Sequence, residues 1–110
     1  MTIREEIEVQ RAGVRRRVRT VTAAYTATLA DDVIVANGAA PFTITLPTAA
    51  SAWDAATSTG KQITIVNRDT DDATIDGAGS ETINGATTFA LDVQYETVTL
   101  ISDGTEWYAI

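Results

Sequence analysis

Apolar and polar residues alternate with a period of two along most of this chain, in short runs separated by turn-forming residues. Such a period puts successive side chains on opposite faces of an extended backbone and predicts half-buried strands. Tyr25, Ala27 and Leu29 alternate with Thr26 and Thr28, and the run stops at Asp31-Asp32. Val33-Ile34-Val35 predicts a short buried strand closed by Asn37-Gly38, and Phe42, Ile44 and Leu46 alternate with Thr43 and Thr45. Pro47 ends that run because it has no N–H to give to a ladder. Ile63, Ile65 and Val66 come next, then a polar corner over Asn67–Asp72, Thr74-Ile75, and a glycine-rich turn at 76–80.

The closing stretch, Glu81–Ile110, holds three apolar-alternating runs separated by Asn84-Gly85, Asp92–Glu96 and Asp103-Gly104. Asn-Gly and Asp-Gly are strong hairpin signals, because a type I′ turn needs positive φ at both central residues. Trp107 and Tyr108 are neighbours on one predicted strand and so point to opposite faces. Outside the N-terminal stretch, the one helix candidate is the alanine-rich Ala49–Thr59, with Gly60 placed to end it. The expected fold is all-β: a small antiparallel sandwich or barrel-like domain of about 8–10 short strands.

The first twenty residues break the pattern. Ile3 and Ile7 lie four apart around Glu5 and Glu6 and admit a helical turn near residues 3–10, but Gly13 interrupts. Val14 to Val21, with its arginines, suits an exposed edge strand or extended arm. Residues 1–20 carry six arginines against three glutamates, a balance of +3, while the other ninety hold two cations against twelve Asp and Glu, a balance of −10. The expected organisation is a basic arm over residues 1–21 and an acidic β domain over 22–110. Arg4, Arg11, Arg15, Arg16, Arg17 and Arg19 are the candidate residues for gripping an acidic protein surface. Nucleic acid is not expected as the partner, because the acidic body would repel a phosphate backbone.

Composition narrows the chemistry. There are 110 residues with no Cys and no His, so disulfides, zinc–thiolate sites and a histidine-based triad are excluded. No run is long and apolar enough for a secretory signal or a membrane span, and a soluble product of the cytoplasm is expected. Few large side chains and many Ala and Thr make a thin core, so oligomerisation is expected. Taken as a complete chain, one ending on Trp107–Ile110 is expected to bury that end. Val14, Val18, Trp107, Tyr108 and Ile110 are therefore the candidate subunit-interface residues.

The acidic cluster Asp69, Asp71, Asp72 and Asp76 invites comparison with a calcium loop. Counting from Asp69, the sixth position is Thr74 where that loop needs glycine, so no metal and no cofactor is expected. Carboxylate pairs Asp92/Glu96 and Asp103/Glu106 have no apolar pocket written around them, and Asp103 sits in a turn. No catalytic residue is assigned, and an enzyme is not expected.

The succession of motifs carries a resemblance. Tyr25-Thr26-Ala27-Thr28, Asp32-Val33-Ile34, Phe42-Thr43-Ile44-Thr45-Leu46-Pro47 and Gly60-Lys61-Gln62-Ile63-Thr64-Ile65-Val66-Asn67 occur in that order. They are followed by Thr74-Ile75, Glu81-Thr82-Ile83-Asn84-Gly85-Ala86 and Tyr95 through Tyr108. Over about residues 22–110 this resembles the small β module found at the ends of bacteriophage tail fibres and in other phage virion proteins. The resemblance implies a homotrimeric structural protein on a virion, without catalysis. A fibre places its module behind a long shaft, whereas a net-basic stretch of twenty residues precedes it here. The expectation drawn is a capsid decoration (cement) protein, made in the host cytoplasm and held on the capsid surface of the virion by its arms against the major capsid protein. The alternative is a tail-fibre or receptor-binding tip whose loops at Asn67–Asp72, Asp76–Ser80 and Ser102–Glu106 take a host glycan.

Overall fold

The computed structural model describes residues 15–110. The helical turn expected near residues 3–10 lies outside them, as do Arg4, Arg11 and Val14. Among the described residues there are eleven strands and no helix. They are β1 (Val18–Val21), β2 (Tyr25–Thr26), β3 (Val33–Ala36), β4 (Phe42–Thr45), β5 (Trp53–Asp54), β6 (Thr59–Gly60), β7 (Gln62–Asn67), β8 (Ala73–Asp76), β9 (Thr88–Leu91), β10 (Thr97–Ser102) and β11 (Trp107–Ala109). Five strands form one sheet in the order β1-β3-β7-β10-β11, four form a second in the order β2-β4-β8-β9, and β5 and β6 make a separate hairpin.

The all-β expectation holds, but the antiparallel one does not: the sheets are mixed. The chain passes from the first sheet to the second and back, so successive strands of one sheet run the same way. β1, β3 and β7 pair in parallel, and so do β2, β4 and β8. Val18 lies opposite Val33, and Val33 opposite Thr64. Parallel neighbours need a crossover; here a strand of the opposite sheet supplies it. Asp31-Asp32 and Asn37-Gly38 therefore turn corners between sheets and are not hairpins. After β8 the chain retraces its path, and β9, β10 and β11 pair antiparallel with β8, β7 and β10. The reversal contains the Ile83–Ala86 bridge, with Asn84 at φ 52° and Gly85 at φ 84°, as a type I′ turn requires.

Asp103-Gly104 does not make a two-residue turn. Ser102 pairs with Trp107 across a four-residue loop, in which Asp103 Oδ1 accepts the N–H of Thr105 and of Glu106. Ala49–Thr59 is not a helix either. Its first turn is held by Thr48 and Ser51 side chains and its end by Asp54 Oδ1 accepting the Ala56 N–H, local bonds that compete with a helical ladder. The β5–β6 hairpin that results lengthens the path between β4 and β7.

The inward faces of the two sheets share one core. Ile34, Ile63, Ile65, Ile44, Ile75, Leu91, Leu100 and Trp107 are all fully buried in it. Burying each such side chain stabilises the fold by about 1.5–3 kcal/mol. The Trp107 indole N–H donates to the Pro47 carbonyl at 3.2 Å, and its backbone bridges to Thr82–Asn84, which covers the outer edge of β11. β1 is the opposite edge strand of the same sheet, so Val18–Val21, assigned to the arm, belong to the β structure.

Candidate functional site

The densest meeting of charged side chains lies where β1 enters the first sheet. Parallel pairing one circuit apart sets Arg17 and Arg19 beside Asp32 and Ile34: the Val33 N–H donates to the Arg17 carbonyl at 2.9 Å, and Arg19 is in register with Ile34. The corner carboxylates Asp31 and Asp32 therefore face the arginines. Asp31, 2% exposed, accepts on Oδ2 from the Tyr25 hydroxyl at 2.8 Å and the Thr28 N–H at 2.9 Å, and on Oδ1 from Arg19 Nε at 3.0 Å. The Arg19 guanidinium also lies 5.4 Å from the centre of the Tyr25 ring.

Asp32 is bound from three directions. Its Oδ2 accepts the Arg17 N–H at 2.8 Å, its Oδ1 accepts Lys61 Nζ, and its carbonyl accepts Arg16 Nη2 at 2.9 Å. Arg16 Nη2 also donates to Thr64 Oγ1 at 3.0 Å, and the Thr64 and Thr99 hydroxyls bond at 2.9 Å. Bonds from Lys61 and from the Arg17 N–H hold the Asp32 carboxyl at a pKa of about 2. Burial pushes the Asp31 carboxyl up, but the bonds from Thr28, Tyr25 and Arg19 outweigh it and leave the group below its ordinary value. Desolvation and the bond to Asp31 raise the Tyr25 phenol. Both carboxylates are held ionised, with a hydrogen bond on each oxygen. That arrangement suits a clasp and gives neither a proton donor nor a nucleophile.

Two of the arginines offered for a partner surface, Arg16 and Arg19, thus hydrogen-bond through their side chains within their own chain; the Arg17 guanidinium lies 3.8 Å from Asp32 and is largely exposed, and Arg15 is exposed. Trp107 leaves the interface set, because its side chain is wholly buried within the protomer. Val18, Tyr108 and Ile110 are exposed by 66%, 41% and 69% and share the outward face of the first sheet.

The carboxylate pairs are spent on turns. Glu96 Oε1 accepts the N–H groups of Asp92 and Val93, and bonds from the Glu106 and Thr105 N–H groups hold the Asp103 carboxyl below its ordinary value. In the acidic corner, buried Asn67 ties Asp71 to β9 through the Asp71 and Leu91 carbonyls. Among the described residues no three potential ligands gather as a metal site, and no helix is long and apolar enough to cross a membrane.

Two features escaped the sequence reading. A groove lined by Leu29, Ser51, Trp53, Asp54, Thr59 and Lys61 opens beside the β5–β6 hairpin. The turn at 92–96 exposes Val93 and Tyr95 together, Tyr95 at φ 66°. A helix signal misassigned over Ala49–Thr59 hid the first, and polar neighbours hid the second. No protein-family profile matches the chain, and no curated protein matches it either.

Proposed function

We propose that this chain is a structural protein of a bacteriophage virion: a homotrimeric capsid decoration protein, its β body displayed on the head and its basic N-terminal stretch turned to the major capsid protein. The observation carrying this reading is the order of motifs over residues 22–110. Phe42–Thr45, Gln62–Asn67, Thr97–Ser102 and Trp107–Ala109, the cores of those motifs, are the strands β4, β7, β10 and β11 around which both sheets are built. The resemblance therefore falls on what makes the fold, as expected for a structural module.

The clasp alters which arginines reach a partner. Arg16 and Arg19 bond through their side chains and Arg17 through its backbone N–H within the chain, and contact with acidic protein is assigned to Arg4, Arg11 and Arg15. Purified protein mixed with undecorated phage heads should cosediment with them and not with tails. Arg4, Arg11 and Arg15 replaced together by Ala should release it as salt is raised, because exposed charge contacts are screened. Cosedimentation with tails alone, or indifference to both, refutes the decoration reading.

The groove around Trp53 favours a second reading. An indole with hydroxyl, carboxylate and ammonium groups around it has the composition of a sugar platform. A fibre-tip protein would bind host cells through it, and Trp53→Ala would abolish that binding.

A further inference from the structure

No strand position on the outward face of the five-stranded sheet carries a charged side chain, and the Arg16 guanidinium reaches the Thr64 hydroxyl on it from one end. Register and alternation place Val18, Val33, Val35, Val66, Ile101 and Tyr108 on it, with threonines, Gln62 and Ile110 filling the remaining positions. One row runs the full width, Val18 to Val33 to Thr64 to Thr99, with the Ile110 N–H donating to the Thr99 carbonyl at 2.8 Å. The hydroxyls on its central strands already have partners. Thr64 and Thr99 bond each other, and Arg16 bonds Thr64 from the end of the face. Covering these central hydroxyls leaves them satisfied. Five strands about 4.8 Å apart and roughly 17 Å long make a face of about 400 Å² in plan.

We infer that this face is the surface through which copies of this chain assemble with one another. A face that meets its own copy doubles any charge it carries; none of the twelve acidic side chains and two cations of residues 21–110 occupies one of its strand positions, and Arg16 touches it at one end. Uncharged strand positions suit self-contact, whereas a basic partner would be drawn to the acidic remainder. Residues 1–14 are a poorer occupant. Arg4, Glu5, Glu6, Glu8 and Arg11 would lose water against methyl groups. The clasp at Arg16, Arg17, Asp32 and Lys61 stands at one end of the face as a charged rim. The inference rests on the self-assembling part of the function proposed above and names its surface.

Sedimentation equilibrium of the full chain should give a multiple of 11.7 kDa. Val35→Lys with Val66→Lys, at half-buried positions, should reduce it to 11.7 kDa. Because that pair risks the fold, Thr97→Lys at an exposed position of the same face is the second variant, and Ala90→Lys on the other sheet is the control. Thr97→Lys should sediment as the monomer with an unchanged far-UV spectrum, and Ala90→Lys should stay assembled. A wild-type chain at 11.7 kDa overturns the inference, as does a folded Thr97→Lys that still assembles or a monomer that assembles only when residues 1–14 are removed. A monomer that cosediments with heads sinks this inference and leaves the virion reading. An assembled protein indifferent to heads does the reverse.

Discussion

Asp31 shows how one side chain can decide whether a strand joins a sheet. Its carboxylate is buried and takes donors from Tyr25, Thr28 and Arg19, so it ties β2 and the corner after it to β1. Truncation by Asp31→Ala leaves a hydroxyl, an N–H and a guanidinium without their acceptor. The loss should be about 3 kcal/mol in urea unfolding, and hydrogen exchange should rise first in Val18–Val21. A loss no larger than that of a surface substitution would mean that β1 is held by its ladder alone. Asp32 gives the same clasp a pH signature. Its folded pKa is near 2, below the ordinary carboxylate value of about 3.9. The stabilisation is therefore complete above about pH 4 and is lost as pH falls from there toward 2. Asp32→Asn should be less stable than wild type at pH 7 and should lose less on acidification. Parallel stability curves for the two proteins would show that Asp32 contributes nothing to acid unfolding.

At the scale of elements, the β5–β6 hairpin depends on contact with β10. Gly60 sits so close to the Ser102 carbonyl oxygen that a Cβ there would lie 1.9 Å from it, against backbone that has no side-chain freedom to yield. Gly60→Ala should cost about 2–3 kcal/mol and open the groove around Trp53, read as a red shift in tryptophan emission. An unshifted spectrum with unchanged stability would show that the hairpin docks elsewhere. The elements were unequally legible beforehand. β4, β7 and β10 could be read because alternation states which face is buried, and Trp107 and Tyr108 do separate to opposite faces. Alternation says nothing about the direction of a neighbouring strand, so the parallel circuits were invisible to it. The clasp was missed for the same reason. Arg17 and Arg19 meet Asp31 and Asp32 only because one circuit of the chain returns β3 beside β1. Read without that return, a run of arginines looks outward. Ala49–Thr59 misled in another way: its alanines favour helix, but Thr48, Ser51 and Asp54 bond the backbone locally.

For the whole molecule, the question is whether one protomer is stable enough alone. Of the seventeen buried apolar side chains among the described residues five are alanines, which contribute little area each, and the net stability of a small domain is a narrow difference between large terms. Were copies to assemble through the outer face as inferred above, apolar area there would be buried that a lone protomer leaves exposed. Stability should then depend on concentration, since a folded oligomer is favoured over separate unfolded chains by mass action. For three chains a tenfold rise in concentration is worth about 1 kcal/mol per chain, or about 4–8 °C in the unfolding midpoint of a domain this small. Calorimetry at two concentrations a decade apart should show that shift in wild type. Thr97→Lys should show none, with a midpoint below that of wild type at either concentration. A wild-type midpoint that stays fixed would place all of the stability inside the protomer. The clasp and the Trp107 seam would then be sufficient without a partner, and the neutral face would have to serve something other than a copy of itself.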